Sequence, residues 1–318
     1  MLLARLPRAV LAATPLLAHA HSSSSKAAAP QPATLRVAVV QMLVGGDKAA
    51  NLARCAGLLE RACDGGAQLV VLPEVWNSPY AVDQFRAHAE PIAEPGSGGP
   101  DGPSVELLRR VARDRGVHIV GGSVPELGAD GRVYNTAPVV APDGSVVAKH
   151  RKVHLFDIDV PGRIRFFESE TLTAGDEATV APLPAALGGG ALGVAICYDM
   201  RFAELAISMR AKGATVLVYP GAFNTVTGPP HYQLLARARA LDAQAYVVAA
   251  SPARNPESDY QAYGYSVVVD PWGAPVASVD GHHEDVIFAD LDLAKVDEMR
   301  ASMRLLDQRR PDCYVPAN

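Results

Sequence analysis

From Leu35 onward, short β-branched apolar runs alternate with longer stretches whose apolar residues recur every three or four positions. Leu35–Gln41 and Leu69–Leu72 are almost unbroken in apolar residues, the pattern of strands buried on both faces. Between them, Asn51–Cys63 carries apolar residues at helical spacing. Ser104–Arg115 predicts a second helix, with Ser104 at the N-cap and Glu106 in the first turn. Val117–Val124 reads as a strand, and Val133–Val140 with Val146–Lys149 flanks Pro142-Asp143-Gly144-Ser145, a hairpin signal. The second half continues in the same style. Leu192–Ile196, Val216–Tyr219 and Tyr246–Ala250 predict strands, while Phe202–Lys212 and His231–Leu241 predict helices. Tyr265–Asp270, Pro275–Ser278 and Val286–Asp290 predict closing strands around the turn Pro271-Trp272-Gly273, and Leu293–Met303 a last helix. The pattern is that of one α/β domain over residues 35–318, without an internal repeat.

The first 34 residues do not follow this pattern. They contain Arg5, Arg8 and Lys26 but no acid before Asp47, and are rich in Ala, Leu and Ser. That composition resembles an organellar transit peptide, mitochondrial or alternatively chloroplast. A secretory signal is the rival, with Val10–Ala18 as its apolar core and Ala18-His19-Ala20 as its cleavage site, but Pro15 interrupts that core. An uncleaved tail on a cytoplasmic protein is the third reading. The 318 residues are 49% hydrophobic and 20% charged, enough apolar material for a packed core. A net charge of -5 argues against a nucleic-acid or membrane-surface partner. No stretch carries the roughly 20 unbroken apolar residues of a membrane span. Four cysteines (Cys55, Cys63, Cys197, Cys313) make neither a disulfide framework nor a metal-binding CxxC pair. No GxGxxG opens a helix after the first strand and no GxxxxGK[ST] occurs, which argues against nucleotide chemistry.

Chemistry is sought where polar residues leave apolar strands, because the strand fixes them while the loop admits substrate. Glu74 follows the run Val70-Val71-Leu72-Pro73. A carboxylate there is partly desolvated and suited to accept a proton, although a surface Glu after a strand is the plainer alternative. Lys149, Arg151 and Lys152 close another strand. A lysine among apolar neighbours can face a developing oxyanion, but a basic edge can also be merely solvated. Cys197 sits where a strand gives way to a helix, in GVAICYDMRFAEL (193–205). The helix N-terminus would favour thiolate, whereas a lone cysteine is often just a small core residue. None of the nine His residues lies in a local motif of Cys-His hydrolases.

Taken together, Glu74, Lys152 and Cys197 resemble the Glu-Lys-Cys triad of the nitrilase superfamily of carbon–nitrogen hydrolases. All three motifs stand in the family's order with their own flanking strings, and the resemblance runs from Leu35 to about Tyr314. LPEVWNSPY (72–80), HRKVHLFDIDVPG (150–162), CYDMRFAEL (197–205), YPGAFNTVTGPPH (219–231) and SPAR (251–254) look closest to the omega-amidase branch. The departures are Val75-Trp76, where a Cys-Phe pair is common, and Pro230, where Ala is common.

The resemblance implies a four-layer α-β-β-α sandwich of the nitrilase type, paired through its helices into a homodimer. It implies hydrolysis of the terminal amide of 2-oxoglutaramate or 2-oxosuccinamate, with no metal or organic cofactor. Glu74 would be base and acid, Cys197 the nucleophile, and Lys152 with the backbone N–H of Tyr198 the oxyanion site. Glu168, in the FFES segment, falls on the family's second glutamate. The 2-oxo acid needs a cation for its carboxylate, and Arg201, four residues after Cys197, is the candidate; an ion pair with Glu204 is its structural alternative. Thr227 and Tyr80 are weaker candidates for substrate contacts, and Phe223 for packing on the carbon chain. Related amidases that act on deaminated glutathione or an N-carbamoyl compound are alternatives, as is a non-catalytic scaffold.

Overall fold

The computed structural model describes residues 34–162 and 164–314. Apart from Thr34, the leader read at residues 1–34 lies outside them, as do residues 315–318. In chain order the elements are β1 (Thr34–Gln41), α1 (Lys48–Asp64), β2 (Leu69–Val71), α2 (Phe85–His88), α3 (Pro103–Arg115), β3 (His118–Val120), β4 (Val124–Leu127), β5 (Val133–Val140) and β6 (Val146–Arg151). A small hairpin, β7 (Asp157–Val160) and β8 (Ile164–Phe167), follows. The second half comprises β9 (Thr179–Pro182), β10 (Ala191–Val194), α4 (Ala203–Ala211), β11 (Ala214–Pro220), α5 (Gly228–Ala243), β12 (Tyr246–Ala250), β13 (Val267–Val269), β14 (Pro275–Ser278), β15 (Asp285–Asp292) and α6 (Ala294–Ser302).

Two sheets form. One runs β15-β1-β2-β3-β5-β4, with β6 paired to β5, and the other runs β14-β13-β12-β11-β10-β9. Alternation along β1 explains why they stack. Leu35, Val37 and Val39, with Leu69 and Val71, join one apolar cluster with Val194, Val216, Val218 and Val247 of the second sheet. Ala38, Val40, Val70 and Leu72 point the other way, onto Leu58 and Leu59 of α1 and Leu108 and Val111 of α3. Met209 of α4 and Tyr232, Ala236 and Ala240 of α5 belong to the cluster that covers the second sheet. The result is the expected α-β-β-α sandwich, and the burial of both strand faces is why the strands read as continuous apolar runs.

Several boundaries differ from the sequence reading for local physical reasons. Thr34 already pairs with Asp292, so the first strand begins one residue earlier. Helix α1 starts at Lys48 because Asp47 accepts the N–H of Ala49 at 2.8 Å. Ser104 does not cap α3. The helix begins at Pro103, and the buried carboxylate of Glu90 accepts both the N–H (3.0 Å) and the hydroxyl (2.9 Å) of Ser104. The predicted strand Val117–Val124 is cut into β3 and β4 at Gly121-Gly122. Gly122 has φ +61, and a Cβ there would lie 2.1 Å from the Pro73 carbonyl, so only glycine lets the loop before Glu74 pass. Hairpin β7–β8 was not anticipated.

Strand β6 shows how alternation sorts its basic residues. Arg151 donates to both Glu126 oxygens (Nε to Oε2 at 2.8 Å, Nη2 to Oε1 at 2.7 Å), and its guanidinium lies 3.9 Å from the Tyr134 ring centroid. Lys149 donates to the same carboxylate at 2.8 Å, and Thr136 donates at 2.6 Å. Lys149 and Arg151 thus secure the strand on one face. Lys152, next in sequence, turns into the interior. Burial alone would raise the Glu126 carboxyl, but the donors Arg151, Lys149 and Thr136 outweigh it and hold it below the usual range. A carboxyl depressed in the folded state contributes stability above the unfolded value, and that contribution is lost as pH falls through the folded value. Glu126→Ala leaves the half-buried Arg151 without its carboxylate, while Lys149 keeps Glu94 at 2.6 Å, and should therefore cost about 3 kcal/mol in urea unfolding at pH 7. The difference from wild type should shrink as the pH is lowered below about 4.5.

Candidate active site

Three loops meet at the ends of β2, β6 and β10. Glu74 follows β2 after Leu72 and Pro73, and its side chain is fully buried. The next residue, Val75, has φ +46, a conformation costly for a β-branched side chain. The turn is held from outside: Val75 N–H donates to Ser123 Oγ (3.1 Å), and the Trp76 indole donates to the Gly121 carbonyl (2.7 Å). Trp76 is thereby spent on packing under the turn. It does not line either cavity described below.

Cys197 lies three residues beyond β10 and also has φ +46. It opens a short 3-10 turn, Cys197–Arg201, and α4 begins only at Ala203. The first bond of that turn runs from Asp199 N–H to the Ile196 carbonyl (2.9 Å), so the N–H groups of Cys197 and Tyr198 precede it. Gly221 packs behind the elbow, where a Cβ would sit 3.2 Å from Cys197 Cα. The expected thiolate stabilisation by a helix end is not the dominant force here. Burial, followed by the charge of Glu74, pushes the Cys197 thiol well above its ordinary value. A proton acceptor must therefore act in concert with sulfur.

Lys152 is enclosed by carboxylates. Its ammonium donates to Glu74 Oε1 at 2.9 Å and lies 3.0 and 2.9 Å from Glu168 Oε1 and Oε2. Burial opposes its charge, but Glu168 and Glu74 outweigh burial and hold it well above the usual lysine value. Glu168 is also gripped by the Tyr80 hydroxyl (2.7 Å) and the Phe156 N–H (2.7 Å). Burial raises the Glu168 carboxyl, with Lys152 pulling against it. Glu74 receives two further donors, Asn135 Nδ2 on Oε1 (2.9 Å) and Ala222 N–H on Oε2 (2.6 Å). The structure thus brings Glu74, Lys152, Glu168 and Cys197 into one buried group. It spends the Tyr80 hydroxyl on Glu168.

Asp199 was not singled out from sequence. It ties the Cys197 turn to both sides of Lys152: its carboxylate meets His150 Nε2 (3.0 Å), His154 Nδ1 (2.7 Å) and the N–H groups of His154 (2.8 Å) and Ile196 (2.9 Å). Those donors overcome burial and hold the Asp199 carboxyl far below its usual value. The i, i+4 spacing of His150 and His154 was the available signal. In a strand and the turn after it, this spacing puts both rings on one acceptor.

Arg201 reaches the same place through the turn. Its guanidinium lies 4.9 Å from the Phe223 ring centroid and 5.4 Å from that of Tyr198, and Nη1 is 3.2 Å from His231 Nδ1. Among the described residues it makes no ion pair, so the alternative with Glu204 does not form, and its buried Nε has no partner. Arg201, Phe223, Asn224, Thr227, Phe156 and Tyr260 surround Cys197 in a chamber of about 10 Å³, room for one water. Beyond Tyr260 and Ala222 a basin of about 1040 Å³ opens, reaching Glu74 and Tyr80. Tyr260, another residue not anticipated, forms the wall between them. Its hydroxyl donates to the Ala222 carbonyl (2.5 Å), and its ring lies 4.5 Å from that of Tyr80. Arg254 is remote in role: it braces the Ala262 and Tyr263 carbonyls at 3.0 and 3.3 Å.

Comparison with known proteins agrees with this geometry. A family profile described as carbon-nitrogen hydrolase matches residues 36–301. An omega-amidase of Xenopus laevis is 49% identical over 89% of this chain and 98% of its own length. The chloroplastic omega-amidase of Arabidopsis thaliana is 45% identical over 90% of this chain and 75% of its own. A solved Saccharomyces cerevisiae protein, a member of branch 10 of the nitrilase superfamily, superimposes with a TM-score of 0.78 at 45% identity, covering 87% of this chain and 97% of that one. An amidase from Nesterenkonia sp., solved with acrylamide added at its active-site cysteine, superimposes with a TM-score of 0.67 at 26% identity over 86% of this chain and 99% of that one. With a strained cysteine elbow, a buried Glu-Lys-Glu cluster and these relatives, the chain belongs to the carbon–nitrogen hydrolase family, in the omega-amidase branch of the nitrilase superfamily.

Proposed function

We propose that this hydrolase is an omega-amidase that cleaves the terminal amide of 2-oxoglutaramate or 2-oxosuccinamate, giving the 2-oxo diacid and ammonia. The observation that carries the reading is a guanidinium without a carboxylate partner, Arg201, lining the chamber of the buried nucleophile. Glu74 takes the Cys197 proton as sulfur attacks the amide carbon. The oxyanion is met by the Lys152 ammonium and the Tyr198 N–H. Glu74 returns the proton to nitrogen, the C–N bond breaks, and ammonia leaves a Cys197 thioester. Glu74 then deprotonates water, which attacks the thioester carbon, and the S–C bond breaks to release the diacid and the thiol. Glu168 keeps Lys152 charged and in place. Phe223 lies along the carbon chain, with Thr227 and Tyr80 at its margins.

A larger amide such as deaminated glutathione is the second reading, favoured by the 1040 Å³ basin. Ammonia release across a panel of short oxo-amides and the larger amide decides between them. Homodimerisation through helices is supported by the apolar side chains that α5 and the β13–β14 turn leave at the surface: Leu234 is 63% and Trp272 57% exposed. The leader before β1 is read as an organellar address, mitochondrial or chloroplast.

Cys197→Ser should lose nearly all turnover while keeping fold and dimer, because a hydroxyl is far less ionised than a thiol. Ammonia release within tenfold of wild type would sink the nucleophile. Arg201→Ala should lower kcat/KM for 2-oxoglutaramate by roughly 10²-fold, about 2–4 kcal/mol, and Arg201→Lys should recover only part. An uncharged amide of similar length should change much less. Equal losses on both substrates would make Arg201 structural. Removing residues 1–33 should leave soluble, active enzyme. By the family resemblance the chain from Arg309 onward lies across the partner subunit, so a truncation before Pro311 should weaken the dimer, read as a lower melting temperature and a shift in light-scattering mass.

A further inference from the structure

Asn224 is the second buried donor without a partner in the chamber that holds Cys197 and Arg201. It is 5% exposed and directly follows Phe223. Its two amide ends are treated differently. Oδ1 accepts the N–H of Val226 (3.0 Å), the N–H of Thr227 (2.8 Å) and the hydroxyl of Thr227 (3.1 Å). Nδ2 has no acceptor among the described residues. Backbone bonds fix the residue further: the Asn224 carbonyl accepts the Gly228 N–H (2.7 Å), and the Phe223 carbonyl accepts the Tyr263 N–H (2.7 Å).

This arrangement removes the usual ambiguity of an amide side chain. Turning the amide over would set NH₂ against the two backbone N–H groups of Val226 and Thr227, so the end left for the chamber is the one that only donates. A buried N–H without an acceptor is costly. The cost falls if a bound molecule supplies the acceptor, and the unpartnered Nε of Arg201, in the same wall, has the same need.

We infer that Asn224 is a specificity residue that donates from Nδ2 to the 2-oxo oxygen of the substrate and so separates 2-oxo acid amides from 2-amino acid amides. The inference rests on the omega-amidase reading above and deepens it. A carbonyl oxygen at C2 is an acceptor and meets a donor. A 2-ammonium group is donor-only and cationic, so it faces the Asn224 N–H and the Arg201 charge with no acceptor between them. Thr227 then has a defined part: its hydroxyl and N–H hold Asn224 with Nδ2 toward the chamber.

The test uses the full-length enzyme with 2-oxoglutaramate, glutamine and glutaramate, which differ only at C2. Wild type should rank them in favour of the 2-oxo compound. Asn224→Leu, which also removes the acceptor that holds the Val226–Thr227 turn, should lower kcat/KM for 2-oxoglutaramate by roughly 10- to 100-fold more than for glutaramate, so the preference for a C2 carbonyl collapses. Asn224→Asp keeps an oxygen for the Val226 and Thr227 N–H groups, preserves the turn, and presents an acceptor instead of a donor. It should raise the ratio of glutamine to 2-oxoglutaramate at least about tenfold. If both variants lower all three substrates equally, Asn224 serves only its turn and the inference falls while the omega-amidase reading stands. If wild type does not hydrolyse 2-oxoglutaramate, both fall. If Asn224→Asp leaves the ratio at the wild-type value, donor matching at C2 is refuted whatever the leucine variant does.

Discussion

A lysine ammonium held in the interior between two carboxylates is the interaction on which the rest depends. Neither Glu74 nor Glu168 nor Lys152 is exposed, and an unpaired charge at that depth would be prohibitively costly. Each therefore obliges the others to be present. Lys152 lies at 2.9 Å from Glu74 and Glu168, and the surplus negative charge is spread over Tyr80, Phe156 N–H, Asn135 and Ala222 N–H. Burial, reinforced by the Glu74 charge, raises the thiol of Cys197, with Lys152 pulling against it. Structure and chemistry are thus one balance of charge.

Holding that balance requires the chain to adopt unfavourable backbone at two places. Val75, next to Glu74, and Cys197 both sit at φ +46. In each case surrounding contacts over-determine the turn. Ser123 and the carbonyl of Gly121 hold the first, while Asp199 and the close approach of Gly221 hold the second. Asp199 matters most, because it bonds to residues two before and two after Lys152 as well as to the elbow. A rigid sandwich with both strand faces buried supplies the frame that resists relaxation.

The recognition side of the site is built on the opposite principle. The carboxylates and the ammonium of the charge cluster find partners, whereas the chamber wall leaves Arg201 Nε and Asn224 Nδ2 without any. Both donors lie in the small chamber beside Cys197, and in the proposed function the substrate supplies their acceptors. Tyr260, held by the Ala222 carbonyl beside Tyr80, separates that space from the wide basin outside. Cys197, Arg201 and Asn224 therefore share one chamber, and Ala222 and Tyr260 line both it and the basin outside.

Sequence by itself determined the alternation of strands and helices, because apolar periodicity records which faces are buried, and β1 with α1 and α3 lie where that periodicity puts them within a few residues. It also brought forward Glu74, the basic run Lys149–Lys152 and Cys197 as polar residues leaving apolar strands, and the resemblance to the Glu-Lys-Cys triad picked Lys152 from that run. Tertiary structure alone decided what those groups touch. Lys149 and Arg151 were indistinguishable in kind from Lys152 until strand pairing sent them to Glu126 on the other face. Ser104 looked like a cap until Glu90, fourteen residues away, took its place. Asp199, Asn135, Asn224 and Tyr260 gave little local signal, because a hydrogen-bond partner or a cavity wall is a property of chain segments brought together from far apart, and periodicity does not encode which side chains will meet there.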